Sequence, residues 1–415
     1  MFTESEFSVF DFVSCISEAI DLVYPALSNH HKKVAYIAYS LAGEMGIEDE
    51  EIKDIILAAT LHDIGAFTIK ERAQIASLSF EESDLLGKHC TVGYRLLTNF
   101  EPLDNAALLI KYHHAHYDEA EGDVPIGSYI IHLADRLAVM LDDRKEVLEQ
   151  IPGILKKIEK SGAIFHPDAL AALHRMEKLE YFWIEACSLQ VHSSLTERVQ
   201  FPRKKIDLDM LRSFAKIVSH IIDFRSRFTA THSSGVAAVA LEITTICGFS
   251  ERECKMMEIA GFLHDLGKLT ISDDILEKNG ALTDEEFNEI RKHTYFTYVI
   301  INKIKGLEHI STWAAYHHEK LDGSGYPFHI KGEDFTRLAR IMAVADIMTA
   351  ITEDRPYRVG MKPEDAMRVL TNMVGRGAID GGIVEIVKAN FARINDVRAE
   401  AQRDAHSEYN AIRKK

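Results

Sequence analysis

Apolar residues recur along most of this chain at helical intervals. Near the start, Val9, Val13, Ile16 and Ile20 follow one another at steps of four, three and four, which places them on one helix face. The segments THSSGVAAVALEITTIC, GFLHDLGKL, RKHTYFTYVII and RIMAVADIMTA are amphipathic or apolar and of helical length. Asp207 to Phe228 predicts a long helix, and SGAIFHPDALAALHRMEKLEYFWIEA reads as helical throughout. No stretch sustains the period-two alternation of a strand, so the pattern predicts an all-α fold. A short hairpin near Tyr326 to Lys331 is the one candidate for sheet.

The same apolar segments carry ionisable residues: His232, the doublet His264-Asp265, His293 and Asp346. A buried ionisable group must be paired or metal-bound to be tolerated. The stretch that answers to them is Ala314 to Pro327, AAYHHEKLDGSGYP, with His317, His318, Glu319 and Asp322 ahead of Gly323, Gly325 and Tyr326-Pro327. Adjacent histidines point about 100° apart on a helix, so both reach one site only near a helix end or across two metals. The glycines favour turns and Pro327 restricts its predecessor, so no helix continues through this run. It reads as a helix end delivering imidazoles to a cleft, followed by a loop over that cleft.

The first half of the chain repeats the second. His30 to His62 and His232 to His264 are both 32 residues apart, and an aspartate, Asp63 or Asp265, follows each second histidine. His89 to His113 and His293 to His317 are both 24 apart, and each leads to a His-His doublet, His113-His114 or His317-His318. Asp135 in IHLADRLAVM corresponds to Asp346, and even Asp21 and Asp223 fall in register, each 9 residues before its first histidine. Two tandem helical domains follow from this repeat, with boundaries expected at 1–187 and 207–415 and a linker over 188–206. The linker carries Pro202 and a basic cluster, Arg203-Lys204-Lys205. The helix at Asp207 to Phe228 and its counterpart at the start offer surfaces for packing between domains or subunits, so a homodimer is one expectation.

Composition narrows the partners. The 415 residues carry a net charge of −16 with no basic stripe, which argues against a binder of duplex DNA or RNA. A small anionic substrate in a locally positive cleft stays compatible. The five cysteines, Cys15, Cys90, Cys187, Cys247 and Cys254, form no CxxC pair and read as reduced thiols. The first residues lack the pattern of a signal peptide and no apolar run reaches a membrane span, so a cytoplasmic protein without membrane partners is expected.

The ordered set His…His-Asp…His…His-His-Glu-x-x-Asp-Gly-x-Gly-Tyr-Pro…Asp, with Lys268 in HDLGK and Arg355 and Arg358 in DRPYR, resembles the HD-GYP family from about Asp207 to about Ile394. These are all-helical, metal-dependent phosphodiesterases of cyclic dinucleotides, mainly cyclic di-GMP. The resemblance implies two divalent metals, iron or manganese. His232, His264, Asp265 and Asp346 would hold one, and Asp265 would bridge to a second held by His293, His317 and His318. The sequence itself excludes neither zinc nor nickel nor cobalt. Lys268 is implied at the nucleophile or scissile phosphate, beside Asp265 as the other catalytic residue. Arg355 and Arg358 are implied at the substrate phosphates, and Gly325 and Tyr326 in the loop over the site. That loop also implies contacts with diguanylate cyclase domains. Cyclic di-GMP is the first substrate expected, with conversion to pGpG or on to GMP. Hydrolysis of 3′,3′-cyclic GMP-AMP and a non-hydrolytic receptor are the alternatives.

Three departures from the family stand out. Phe228 occupies the position of a third-metal glutamate and Ser226 that of a common aspartate. Thr349 stands where a second aspartate usually follows, close to the presumed base-binding side, and suggests a looser preference for guanine. The first copy keeps a possible second metal site of His30, His62, Asp63, His89, His113, His114 and Asp135. It has Ala66 in the place of Lys268, and no Gly-Tyr-Pro or Asp-Arg-Pro-Tyr-Arg. A regulatory or sensory domain and a dimerisation module both remain open for it.

Overall fold

Helix starts in the second half are set by local chemistry. Ser250 with Glu253 and Thr283 with Glu286 form reciprocal capping boxes, in which each side chain satisfies the other residue's backbone amide. Asp207, Thr336 and Asp380 cap three further helices with side-chain oxygens. The computed structural model describes residues 6–21, 29–68, 71, 83–98, 100–120, 122–188, 190–202, 204–205, 207–225, 231–278, 280–354 and 358–413.

The chain divides into two units, Ser8–Arg203 and Met1–Phe7 with Lys204–Lys415. The first holds α1 (Val9–Asp21), α2 (His30–Met45), α3 (Asp49–Leu61), α4 (Ser83–Leu97), α5 (Asp104–Lys111), α6 (Ile126–Met140), α7 (Val147–Lys160), α8 (Pro167–Met176), α9 (Glu180–Ala186) and α10 (Val191–Arg198). The second holds α11 (Leu208–Asp223), α12 (His232–Ile246), α13 (Glu251–Leu263), α14 (Asp273–Leu276), α15 (Asp284–Asn302), α16 (Glu308–Ala315), α17 (Arg337–Thr352), α18 (Pro363–Gly375), α19 (Gly381–Ala389) and α20 (Phe391–Arg413). The fold is all-α, as the periodicity predicts. Among the described residues the only sheet is a two-residue pairing of β1 (Glu6–Phe7) with β2 (Lys204–Lys205).

Five helices recur in the same order in both units: α2, α3, α4, α5 and α6 in the first, and α12, α13, α15, α16 and α17 in the second. In each unit the first of these packs on both the second and the fifth. Each core is aliphatic, with Ile55, Ile56 and Leu133 fully buried in the first and Val236, Ile259 and Met342 in the second. One glycine after each His-Asp doublet lets the chain touch the third helix of the set. A Cβ on Gly65 would fall 2.1 Å from the His89 carbonyl oxygen, and one on Gly267 would fall 1.8 Å from that of His293. Only glycine permits that approach, and it brings the aspartate of one element to the histidine of the other.

Two expectations are corrected. The stretch 188–206 is not simply a linker. Val191, Leu195 and Val199 recur every four residues, are buried, and turn α10 into a helix packed on α2. Arg198 anchors it to Glu185 at 2.8 Å and lies over the Tyr36 ring. The long helix α11 packs on α13 within its own unit, and Lys216 pairs with Glu408 of α20 at 2.6 Å. No hairpin forms at Tyr326 to Lys331, because the buried Glu319 carboxylate accepts from the amides of Phe328, His329 and Ile330 at 2.7, 3.1 and 3.1 Å. Those amides are the ones a ladder would have used.

Candidate metal centre and substrate cleft

The histidines of the second unit are held by their own helices. His264 lies just past α13, His293 within α15, and His317 in the single turn Tyr316–His318 after α16. Each ring donates its Nδ1–H to the carbonyl three residues back: His264 to Gly261 at 2.7 Å, His293 to Ile290 at 2.5 Å and His317 to Ala314 at 2.7 Å. That fixes the tautomer and leaves each Nε2 with a lone pair facing inward. Burial pushes His293 down to about 3 and His317 well below the usual imidazole range, so both rings are neutral.

Electron pairs therefore converge. The Nε2 atoms of His293 and His317 stand 3.3 Å apart, with Asp265 Oδ1 at 3.4 and 3.9 Å from them. His264 Nε2 lies 3.2 Å from Asp265 Oδ2. On the other side His232, the first residue of α12, sets its Nε2 3.2 Å from Asp346 Oδ1, and His318 Nδ1 lies 3.8 Å from Asp346 Oδ2. The Nε2 lone pairs of His293 and His317 and the Asp265 oxygen face one another with no hydrogen between them and repel unless a cation separates them. The donor set, imidazole nitrogen and carboxylate oxygen in buried ground, fits divalent cations. Asp265 reaches His264 through Oδ2 and His293 and His317 through Oδ1. Burial opposes its charge, but the His264 imidazole and the Lys268 ammonium hold it well below the usual carboxylate range.

Lys268 sits in the turn Leu266–Thr270, and its Nζ donates to Asp265 Oδ2 at 2.5 Å. Burial works against its charge, but the Asp265 carboxylate raises it above the ordinary lysine range. The sequence reading missed what holds this turn. Buried Arg225 donates to the carbonyls of Lys268 and Ile271, both at 2.8 Å, and to Asp273 Oδ1 at 2.7 Å. It also missed Glu353, whose Oε2 receives His232 Nδ1 at 3.1 Å and orients that ring.

The loop after the doublet closes on the site. A Cβ on Gly325 would lie 2.5 Å from His318 O, so only glycine lets the loop lie on the histidine backbone. Tyr326 then places its ring 5.0 Å from that of His318, and the Arg291 guanidinium lies 5.0 Å from the Tyr326 ring. A cleft of about 510 Å³ opens there, lined by Arg291, Lys292, Tyr295, Phe296, Tyr326 and Pro327 among others. Arg291 and Tyr295 flank His293 two residues either side, a signal legible in RKHTYF but passed over.

Other expected contacts fall elsewhere. Arg358 is exposed and donates to the Ala350 carbonyl at 2.6 Å. Arg355, Phe228 and Ser226 lie outside the described residues. Thr349 is fully buried, and its methyl meets α12 at Gly235, so it cannot read a base edge; the looser guanine preference drawn from it is withdrawn.

The first unit repeats the cluster. His62 and His113 donate Nδ1–H to Ala59 and Ile110 at 2.8 and 2.7 Å. His30 Nε2 lies 3.2 Å from Asp135 Oδ1, and His89 Nε2 lies 3.2 Å from both Asp63 Oδ1 and His113 Nε2. Ala66, buried, offers no cation where Lys268 stands.

The comparisons agree with this architecture. The HD domain family matches residues 216–383 and, separately, residues 27–140. The 3′,3′-cGAMP-specific phosphodiesterase 1 of Vibrio cholerae is 29% identical over 391 residues, covering 91% of this chain and 90% of that protein. A cyclic di-GMP phosphodiesterase of Pseudomonas aeruginosa is 34% identical over 149 residues, 36% of each chain. The crystal structure of a V. cholerae cyclic GMP-AMP specific phosphodiesterase shares the fold across 96% of this chain and 98% of its own, with a TM-score of 0.62 at 19% identity. No described helix is long and apolar enough to cross a membrane. With an HD domain in each half and the full Gly-Tyr-Pro signature in the second, the chain is a phosphodiesterase built of two HD domains.

Proposed function

We propose that the second domain hydrolyses a 3′,3′-cyclic dinucleotide using two divalent cations, iron or manganese, and that the substrate is 3′,3′-cyclic GMP-AMP. The observation that carries the reading is the convergence of His264, His293 and His317 Nε2 atoms on Asp265, with Lys268 on the same carboxylate and a basic, aromatic cleft alongside. Bound there, the cations would supply a water of lowered pKa and neutralise charge at phosphorus. His232, His264, Asp265 and Asp346 would hold one, and Asp265, His293, His317 and His318 the other. Lys268 stays protonated and presents its ammonium to the scissile phosphate. Arg291 and Lys292 bind the second phosphate, and Tyr326 and Tyr295 offer ring faces to the bases. Water adds at phosphorus, one P–O3′ bond breaks, and a linear dinucleotide with a 5′-phosphate and a 3′-hydroxyl leaves.

Cyclic di-GMP, the first expectation from the sequence, becomes the second reading. The relative aligned along nine-tenths of this chain is named for cyclic GMP-AMP, whereas the cyclic di-GMP enzyme of P. aeruginosa aligns over 36% of it. The deciding experiment is metal analysis of anaerobically purified protein, with mass-spectrometric products from both dinucleotides. A higher kcat/KM for cyclic di-GMP would reverse the order of substrates. Tight binding of either, without turnover by protein carrying its cations, would make the domain a receptor.

A further inference from the structure

The first domain differs from the second at one position within the metal cluster. Residue 90, next to His89, is a cysteine, whereas the matching residue 294, next to His293, is a threonine. Thr294 spends its hydroxyl on its own helix, donating to the Arg291 carbonyl at 3.0 Å. Cys90 is buried and turns its Sγ to the cluster, 3.7 Å from His89 Nε2. One donor atom from each of His89, Cys90, His113 and His114 lies within 4.8 Å of all the others.

We infer that the first domain holds a single zinc ion through His89, Cys90, His113 and His114, a closed thiolate site unlike the open nitrogen–oxygen centre of the second domain. Tetrahedral zinc with bonds of about 2.3 Å to sulfur and about 2.0–2.1 Å to nitrogen separates sulfur from nitrogen by about 3.6 Å, and nitrogens by about 3.4 Å. The corresponding distances are 3.7 Å for Cys90 Sγ to His89 Nε2 and 3.2 Å for His89 Nε2 to His113 Nε2. His114 supplies an independent sign. It is buried, and neither ring nitrogen has a hydrogen-bond partner among the described residues, a costly state for an imidazole unless one nitrogen binds an ion.

A second feature disfavours a second cation at Asp135. Asp135, the counterpart of Asp346, has its Oδ2 taken by buried Arg136, whose Nη2 and Nε donate at 2.5 and 3.0 Å. Residue 347 in the second domain is isoleucine. The guanidinium already neutralises Asp135 and opposes a further cation beside His30 and His62. Four protein ligands then complete zinc's shell and leave no position for a reacting water, the arrangement of structural zinc. Thiolate also selects zinc over manganese or ferrous iron. Binding displaces the Cys90 thiol proton.

The test is saturation of chelator-treated, full-length protein with cobalt(II), read by the thiolate-to-cobalt charge-transfer absorption in the near ultraviolet. That band arises only from sulfur-bound cobalt, so occupancy of the second domain does not obscure it. The band is expected in the unaltered chain, and zinc should displace it. It should vanish in Cys90→Ser and persist when Cys15, Cys187, Cys247 and Cys254 are all changed to serine. His114→Gln should keep the band and weaken cobalt binding by tenfold or more. Absence of the band at saturation, its survival in Cys90→Ser, its loss from the protein retaining only Cys90, or an unshifted His114→Gln titration would each overturn the assignment. The variant retaining only Cys90 keeps the question decidable if Cys90→Ser fails to fold.

Discussion

The two domains place histidine and aspartate at the same stations on the same five helices, and they diverge in what surrounds them. In the second, Lys268 and the Arg291–Tyr326 cleft add positive charge and ring faces around the donor cluster. In the first, the lysine is Ala66, and Arg136 occupies the aspartate instead. Even the aspartate that closes the helix before each first histidine is reused differently. Asp21 meets His31 at 2.5 Å, whereas Asp223 receives the Ser233 amide and hydroxyl at 3.0 and 2.9 Å. The same histidine and aspartate frame thus recurs on helix packing alone, while the groups around it are set separately in each domain.

The sharpest way to break this comparison is to remove the shared aspartate from each domain in turn. Asp265→Ala should lower metal content and cut turnover by well over the roughly 10–100-fold cost of disturbing an outer-shell partner. Asp63→Ala should leave turnover within about twofold. Elemental analysis with steady-state assays of both proteins checks this, and equal losses from the two would abolish the division of labour.

Lys268→Ala comes next. One charge-assisted contact is worth about 1.5–3 kcal/mol, so kcat/KM should fall about tenfold to a hundredfold while metal content holds. If the metals leave with the lysine, its part is to position Asp265. A smaller effect tests the cleft. Arg291→Ala should raise KM about tenfold with kcat and metal content nearly unchanged, and an unaltered KM would remove Arg291 from the substrate site.

The smallest effect concerns how α20 is tied down. His220 Nε2 lies 3.2 Å from Glu408 Oε2, and that contact together with Lys216 outweighs burial to lower the Glu408 carboxyl to about 2. A carboxyl lowered on folding adds stability above its unfolded value near 4.5, and that contribution disappears as pH falls towards about 2. Glu408→Gln should therefore lower Tm slightly at pH 7, with the gap from the unaltered protein shrinking below pH about 4.5. Thermal melts across that range decide it, and a gap independent of pH would show that the pair contributes through packing alone.

The linear chain by itself determined the all-α class, the duplication and the histidines and aspartates that the fold gathers into each cluster. Helical periodicity and equal spacings survive in one dimension, and buried histidines and aspartates announce themselves against apolar ground. What the fold alone decided is contact between residues far apart in the chain. Glu353 orients His232 across 121 residues, and Arg225 holds the Lys268 turn across 43. Glu319 turns an expected hairpin into a clamped loop, because its carboxylate meets three amides only once the chain has doubled back. Thr349 looked like a base reader by its place beside Asp346, yet the helix rotation buries it against Gly235. Spacing fixes which face of a helix a residue occupies. The neighbour that face meets depends on packing between helices, which no local pattern encodes.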